Sequence, residues 1–508
     1  MLHVSLFVEI LRLRPRLMFW TVTLIQAAIW TLVPAIFYST PPGNLLEVLA
    51  IGRDAGISPE VGPPLGYWAA HAAFRLAGNR VIGVYALAQL CVIATYWIVF
   101  RLASTLVGER QAVLTILLMA GISALSAATP DYTPALLAMP LWTLGVLLFH
   151  RAVTVDDGRW WFVLAADLAL LMLTSYLGLI LVTLLVIFAF IRPAVRARLL
   201  SPYALGAAFV VLCVAFVPIA LLKQSFNETL PRITNLRHVD TLNQNIVGWL
   251  RLAGTVIFSH FGFAILAALA ANAIWVRREG APVIAGYAVN SLERALIFYV
   301  AIAPPVVVTA AAALIGYAGA LNPAPIVAFS ALALVVAAGP DITLHNQRII
   351  GWAWAVLLLV PPLLVSVFVT TAPLLGADLR IAQPATAVGR FFAETFERRT
   401  GKPLAYVGGD RNLALMLAAG APNRPRVLGD TPGLAKPSAA DIADKGAIIV
   451  WPAADQAGTP PPDIKARYPD LITDVPRAFD RTIQVWRPLL RIGWGLVRPA
   501  SSPATPAQ

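Results

Sequence analysis

Through residue 371 the chain alternates long apolar blocks with short polar stretches, many of which carry arginine. A helix needs roughly 20 apolar residues to cross a hydrocarbon core. Within lipid every backbone N–H and C=O must find a partner inside the protein, so such blocks are helices. The pattern predicts about eleven spans of this kind, near 17–38, 81–100, 111–128, 134–150, 160–174, 177–191, 203–222, 247–275, 294–318, 324–339 and 350–371. Proline pairs at Pro304-Pro305 and Pro361-Pro362 fall inside two of them, where neighbouring helices can satisfy the backbone groups that proline frees. The first block is too long for the apolar core of a cleavable signal peptide and reads as an anchor.

Beyond Thr371 the pattern changes to mixed and polar. A helical period at Ala387–Arg399 places Phe391, Phe392 and Phe396 on one side. A strand-like Leu404–Val407 runs into Gly408-Gly409-Asp410-Arg411, a helix follows near 412–420, and a second apolar strand covers Ala447–Trp451. Short apolar strands alternating with helices predict an α/β unit with some parallel pairing. A strand end such as Gly-Gly-Asp-Arg is where open α/β sheets often bind ligands, although an ordinary turn with a solvated acid accounts for it equally. The fold expected is a polytopic α-helical membrane protein with a small C-terminal periplasmic α/β domain. Its parts are a transmembrane domain over 1–375 with a periplasmic first loop at 39–80, the α/β domain over 376–495, and a disordered tail at 496–508 rich in Ser, Pro and Ala.

Composition agrees: 59% of the 508 residues are hydrophobic and 13% charged, too little polar surface for a soluble protein of this size. The net charge of +12 follows the spans. Arg12, Arg14 and Arg16 precede the first, and the loops that should share their side carry Arg101, Arg110, Arg151, Arg159, Arg192, Arg196, Arg198, Arg277, Arg278 and Arg348. By the positive-inside rule the N-terminus is cytoplasmic. Residues 39–80, 129–133, 223–246 and those after about 372 then face the periplasm. No basic stripe with interleaved aromatics suggests nucleic acid as a partner. The two cysteines, Cys91 and Cys213, both fall in apolar spans and read as small packed hydrophobes rather than a disulfide.

The chemistry gathers in the outer loops. The first reads Asn44-Leu45-Leu46-Glu47, Gly52-Arg53-Asp54 and Pro63-Pro64-Leu65-Gly66-Tyr67-Trp68; the next is Ala128-Thr129-Pro130-Asp131-Tyr132-Thr133; a third turn is Thr174-Ser175-Tyr176. Acids at a membrane surface can deprotonate an acceptor hydroxyl, and arginines suit a phosphate through their fork of donors. The blander readings are that Asp131 caps the fourth span and that Arg53 and Asp54 pair with each other. The helix expected over Leu65–Ala77 reads as an interfacial anchor for the loop. His260, inside the eighth span, reads as a hydrogen-bonded interior histidine. No Walker A loop, GxGxxG turn, GxSxG elbow or HExxH pair is present.

These pieces, with Asp157–Trp161 and Thr174–Gly178 behind them, resemble the protein O-mannosyltransferase-like branch of the GT-C type membrane glycosyltransferases, whose bacterial relatives add sugars to lipid A and other envelope lipids. The resemblance covers residues 15–275 best. It implies an inverting transfer from a polyprenyl-phosphate-linked sugar to a periplasmic lipid, glycan or protein, at the outer face of the bacterial inner membrane. Carried over, Glu47 is the general base and Asp131 the second acid, with Asp54 as the substitute base. Arg53, Tyr67, Tyr132, Tyr176, Lys223, Arg232 and Arg237 are candidates for binding donor and phosphate. No metal-ligand cluster is visible, although acids with phosphate could recruit a divalent cation. The chain departs from the family at Leu46, where relatives carry Asp, at Ser175, where they carry Lys, and at Gly62, where they often carry His. A transporter of lipid-linked saccharides or a non-catalytic envelope scaffold are the competing readings.

Overall fold

In the computed structural model the described residues are 13–53, 61–234, 239–271, 283–315, 323–344, 347–371, 379–429, 434–453, 458–480 and 489–500. The protein is a multi-pass α-helical membrane protein. Seven helices among the described residues are long and apolar enough to cross a membrane: Pro15–Phe37, Ile82–Leu106, Pro134–Thr154, Pro202–Ala220, Asn245–Ala270, Ser291–Ala311 and Ile349–Thr371. A bent pair, Leu177–Ile191 and Pro193–Leu199, turns by 118° and makes an eighth if taken as one span.

The difference from the spans read in the sequence has local causes. The stretch 111–128 is helical only over Glu109–Met119 and then turns through a 3₁₀ segment, Ser123–Leu125. At that turn Gly121 packs so closely that a Cβ would lie 2.9 Å from the amide nitrogen of Phe263. The stretch 324–339 breaks into Ala324–Val327 and Ser330–Ala338. Arg159–Thr174 and Leu177–Ile191 form as expected but run only 16 and 15 residues. His260 marks a break between Val239–Ser259 and Phe261–Ala270. Its ring meets the Val256 carbonyl at 2.7 Å and Ser330 Oγ at 2.9 Å, the bonded interior role expected of it.

By compactness the chain divides into two units: 1–32, 57–69 and 82–363; and 33–56, 70–81 and 364–508. The first is the helical bundle. Gln26 Nε2 donates to Tyr96 Oη at 3.1 Å and to the Leu125 carbonyl at 3.0 Å, and Gln89 Nε2 donates to Thr129 Oγ1 at 2.7 Å. These buried amides tie the turn after residue 121 to the spans, as polar side chains do where no water competes. His150 meets Glu293 at 3.0 Å, and Tyr299 Oη donates to the Leu184 carbonyl at 3.0 Å. Two short strands, β1 (Val283–Ala285) and β2 (Asp341–Thr343), pair antiparallel.

The second unit contains a five-stranded sheet of β3 (Tyr406–Gly409), β4 (Arg426–Val427), β5 (Ala447–Pro452), β6 (Ile472–Phe479) and β7 (Leu490–Val497), in the order β4-β3-β5-β7-β6. β3 runs parallel to β4 and β5, while β7 is antiparallel to β5 and β6. The parallel half matches the α/β pattern read from the sequence, with helices at Ala385–Thr400 and Arg411–Gly420. Phe392 and Phe396 are fully buried, and Tyr406, Ile449 and Trp451 build the core beneath. The end of the chain enters this sheet: β7 extends to Val497, and the Ala500 amide donates to the Ala443 carbonyl at 2.7 Å. Ordered structure therefore passes residue 496, where the disordered tail was expected to begin. Residues 501–508 lie outside the described residues.

The first loop is largely helical over its described residues. It holds the helices Gly43–Gly52 and Leu65–Leu76, and the segments 33–56 and 70–81 belong to the second unit. Within that unit the Ser39 and Thr40 amides donate to the Ile381 carbonyl at 2.9 and 3.0 Å.

Candidate functional site

Within the bundle, three of the motif pieces meet. Gly62 has φ +77, a conformation that side chains resist. A Cβ there would lie 3.0 Å from the Tyr176 hydroxyl, so Tyr176 packs on this glycine. The Pro63-Pro64 pivot follows and starts the helix Leu65–Leu76, as the amides of Tyr67 and Trp68 donate to the Pro64 carbonyl at 3.0 Å. Gly66 then comes so close to Pro134 that a Cβ would sit 2.6 Å from the proline Cβ. The Tyr132 hydroxyl donates to the Gly66 carbonyl at 3.1 Å. Residues 62–66, 132–134 and 176 thus form one packed junction, and each glycine in it is required by space or backbone angle.

Asp131 stands at the edge of this junction, partly exposed, its amide donating to the Ala128 carbonyl at 3.3 Å. It does not cap the following helix: the N-cap of Pro134–Thr154 is Thr133. Tyr132 is fully buried and burial pushes its phenol well up from the ordinary value, so its role in this geometry is to hold Gly66. Tyr67 and Tyr176 are half-buried. The same turn lines a cavity of about 480 Å³ with Ser123, Ala128, Arg251, Thr255 and Ser259 around it. Arg251 was not singled out in the sequence because it sits within an apolar span; it is exposed and lines this cavity.

Within the second unit lies the other acid. Glu47, on the helix Gly43–Gly52, accepts from Arg411 Nη2 at 2.5 Å and is 24% exposed. Arg411 is the last residue of the Gly-Gly-Asp-Arg strand end. Gly409 there has φ +99 and leaves no room for a Cβ beside the Val450 carbonyl. Asp410 caps the helix Arg411–Gly420, accepting from the Asn412 and Leu413 amides at 3.1 and 3.0 Å. The strand end is thus a structural turn whose arginine orients Glu47. Leu46, the position of the departed acid, is buried and lines a recess with Leu49 and Leu415. Arg53 donates through Nη1 to the Arg424 carbonyl at 2.5 Å.

Asp54 and Arg237 lie outside the described residues, as do the side chains of Lys223 and Arg232 on the helix Pro202–Thr234. Among the described residues no three metal-ligating side chains converge, and no step below uses a metal.

Residues 61–221 match the family of dolichyl-phosphate-mannose-protein mannosyltransferases. That stretch, about a third of the chain, contains the Pro-Pro pivot, the Asp131 turn and Tyr176, the pieces on which the sequence resemblance to this family rests. Among solved structures it is similar to ArnT from Cupriavidus metallidurans bound to undecaprenyl phosphate, at 13% identity over 96% of this chain and 99% of that one, with a TM-score of 0.47. The archaeal oligosaccharyltransferase AglB from Archaeoglobus fulgidus, in complex with an inhibitory peptide and a dolichol-phosphate, is similar at 11% identity over 87% of this chain and 70% of that one, with a TM-score of 0.45. No curated protein sequence matches the chain.

Proposed function

We propose that this protein is an inverting glycosyltransferase of the bacterial inner membrane, moving a sugar from a polyprenyl-phosphate donor to a periplasmic acceptor such as lipid A or another envelope lipid. The observation that carries the reading is the junction of the Pro-Pro pivot, the Asp131 turn and Tyr176. A pore has no use for an acid held at such a turn; a transfer reaction does.

In this reading Glu47 accepts the proton of the acceptor hydroxyl as that oxygen bonds to the sugar's anomeric carbon. The bond from that carbon to the phosphate oxygen breaks on the opposite face, and polyprenyl phosphate leaves. Arg411 fixes the carboxylate that takes the proton. Within the bundle, Asp131 is the second acid that the resemblance implies, and Arg251 is a cation of the kind that suits a phosphate. The arginine bias of alternate loops supports the periplasmic placement.

Separate Glu47→Gln and Asp131→Asn variants test the proposal by mass analysis of envelope glycolipids and by transfer from a purified polyprenyl-phosphate sugar. Loss of a general base costs about 10²- to 10⁴-fold in rate. Transfer should fall by that order in the Glu47 variant while both proteins still insert and fold. Full transfer by both variants would leave a transporter or scaffold as the better account.

A further inference from the structure

Three arginines of the second unit share one small region. Arg424 stacks on Phe74, its guanidinium carbon 4.1 Å from the ring centroid. Arg53 donates to the Arg424 carbonyl at 2.5 Å. Arg75, next to Phe74 in the last turn of the helix Leu65–Leu76, is close enough for its charge to act on Arg424. None of the three takes part in an ion pair among the described residues. Burial, and then the charges of Arg53 and Arg75, hold Arg424 down at about 10, below the ordinary guanidinium range. Arg424 also sits at φ +47, a left-handed backbone angle that an ordinary side chain resists and that tends to mark functional positions.

Gathering like charges costs free energy unless a counter-ion offsets it, and arginine is the side chain best shaped to hold phosphate. We infer that Arg53, Arg75 and Arg424 form a binding site for a phosphate group. Arg53 and Arg424 line a recess of about 20 Å³ together with Arg426 and the apolar Leu46, Leu49 and Leu415. That volume admits little more than a water-sized group, so the phosphate lies across the mouth with arginines on one side and an apolar wall on the other. A phosphate attached to a hydrocarbon chain satisfies both walls; a free phosphate satisfies only one. The identity of the lipid-borne form rests on the transfer reading, whereas the arginine site does not.

Equilibrium binding of farnesyl phosphate and of inorganic phosphate to the full chain in a neutral detergent tests the site. No sugar donor is present, so the result is independent of turnover. Arg75→Gln carries the test most simply, because Arg75 is exposed and its loss disturbs no recorded partner; Arg424→Met keeps the packing on Phe74 and Arg53→Gln completes the set. Each should weaken binding at least tenfold, and the phosphate-induced rise in melting temperature expected of the wild type should vanish in Arg424→Met. Tighter binding of farnesyl phosphate identifies a lipid source, and equal binding a free one. Wild-type protein that binds neither probe, or variants that all bind as the wild type does, overturn the site. Binding that persists in a protein with no transfer activity upholds the site and removes the transfer reading.

Discussion

The Glu47–Arg411 pair offers the sharpest test of how the candidate base is held. At the observed 2.5 Å two unit charges attract by about 1.7 kcal/mol in the dielectric of water, and by more in drier surroundings. Glu47 is 24% and Arg411 50% exposed, so solvent screens the pair, and ordering two side chains offsets part of the attraction. The coupling expected is about 1 kcal/mol, at the upper end for partly exposed pairs. A double-mutant cycle of Glu47→Gln and Arg411→Gln measures it by denaturant unfolding of the full chain in detergent. The two single losses should exceed the double loss by that amount, and the excess should shrink in about 1 M salt, where the screening length is only ~3 Å. In transfer assays Arg411→Gln should lose less than Glu47→Gln, since the base remains but is no longer oriented. Additivity within about 0.3 kcal/mol would refute the pairing.

Two further outcomes follow from the bundle. Tyr132→Phe removes the 3.1 Å hydrogen bond to the buried Gly66 carbonyl while keeping the ring; thermal unfolding should report a loss of about 1 kcal/mol, and an unchanged midpoint would mean the hydroxyl does not hold the junction. Asp167 is 4% exposed, and neither carboxylate oxygen finds a hydrogen-bond partner among the described residues. Because an unpaired acid in a span is costly, Asp167→Asn should leave stability equal or raise it, whereas a drop beyond about 1 kcal/mol would reveal a partner the geometry does not provide.

What the sequence made legible was whatever depends on neighbouring residues. Ile82–Leu106 is mostly apolar, and it is a helix where a span near 81–100 was expected. β3 and β5, buried on both faces, show as continuous apolar runs. By contrast, Gly121–Ala128 reads as apolar yet folds as a turn, since its small residues serve close packing and not helix continuation. β6 was missed because Pro476 interrupts it and only Phe479 of its residues is buried. The pivot, the Asp131 turn and Tyr176 could be read as separate pieces, but not their junction, which is made by backbone approach at Gly62 and Gly66. Arg411 and Arg424 stayed hidden as partners of Glu47 and Arg53 because they lie 364 and 371 positions further along the chain.

That separation has a consequence for biogenesis. The helix Gly43–Gly52 leaves the ribosome early, whereas Arg411–Gly420 emerges only after every described membrane-spanning helix has been made. The unit that carries Glu47 is stitched from three separate stretches of chain, so it can close only once the third has been made. A nascent protein cut short before residue 411 would carry the acid without the arginine that orients it, which keeps the carboxylate unguided until the ribosome has passed that residue.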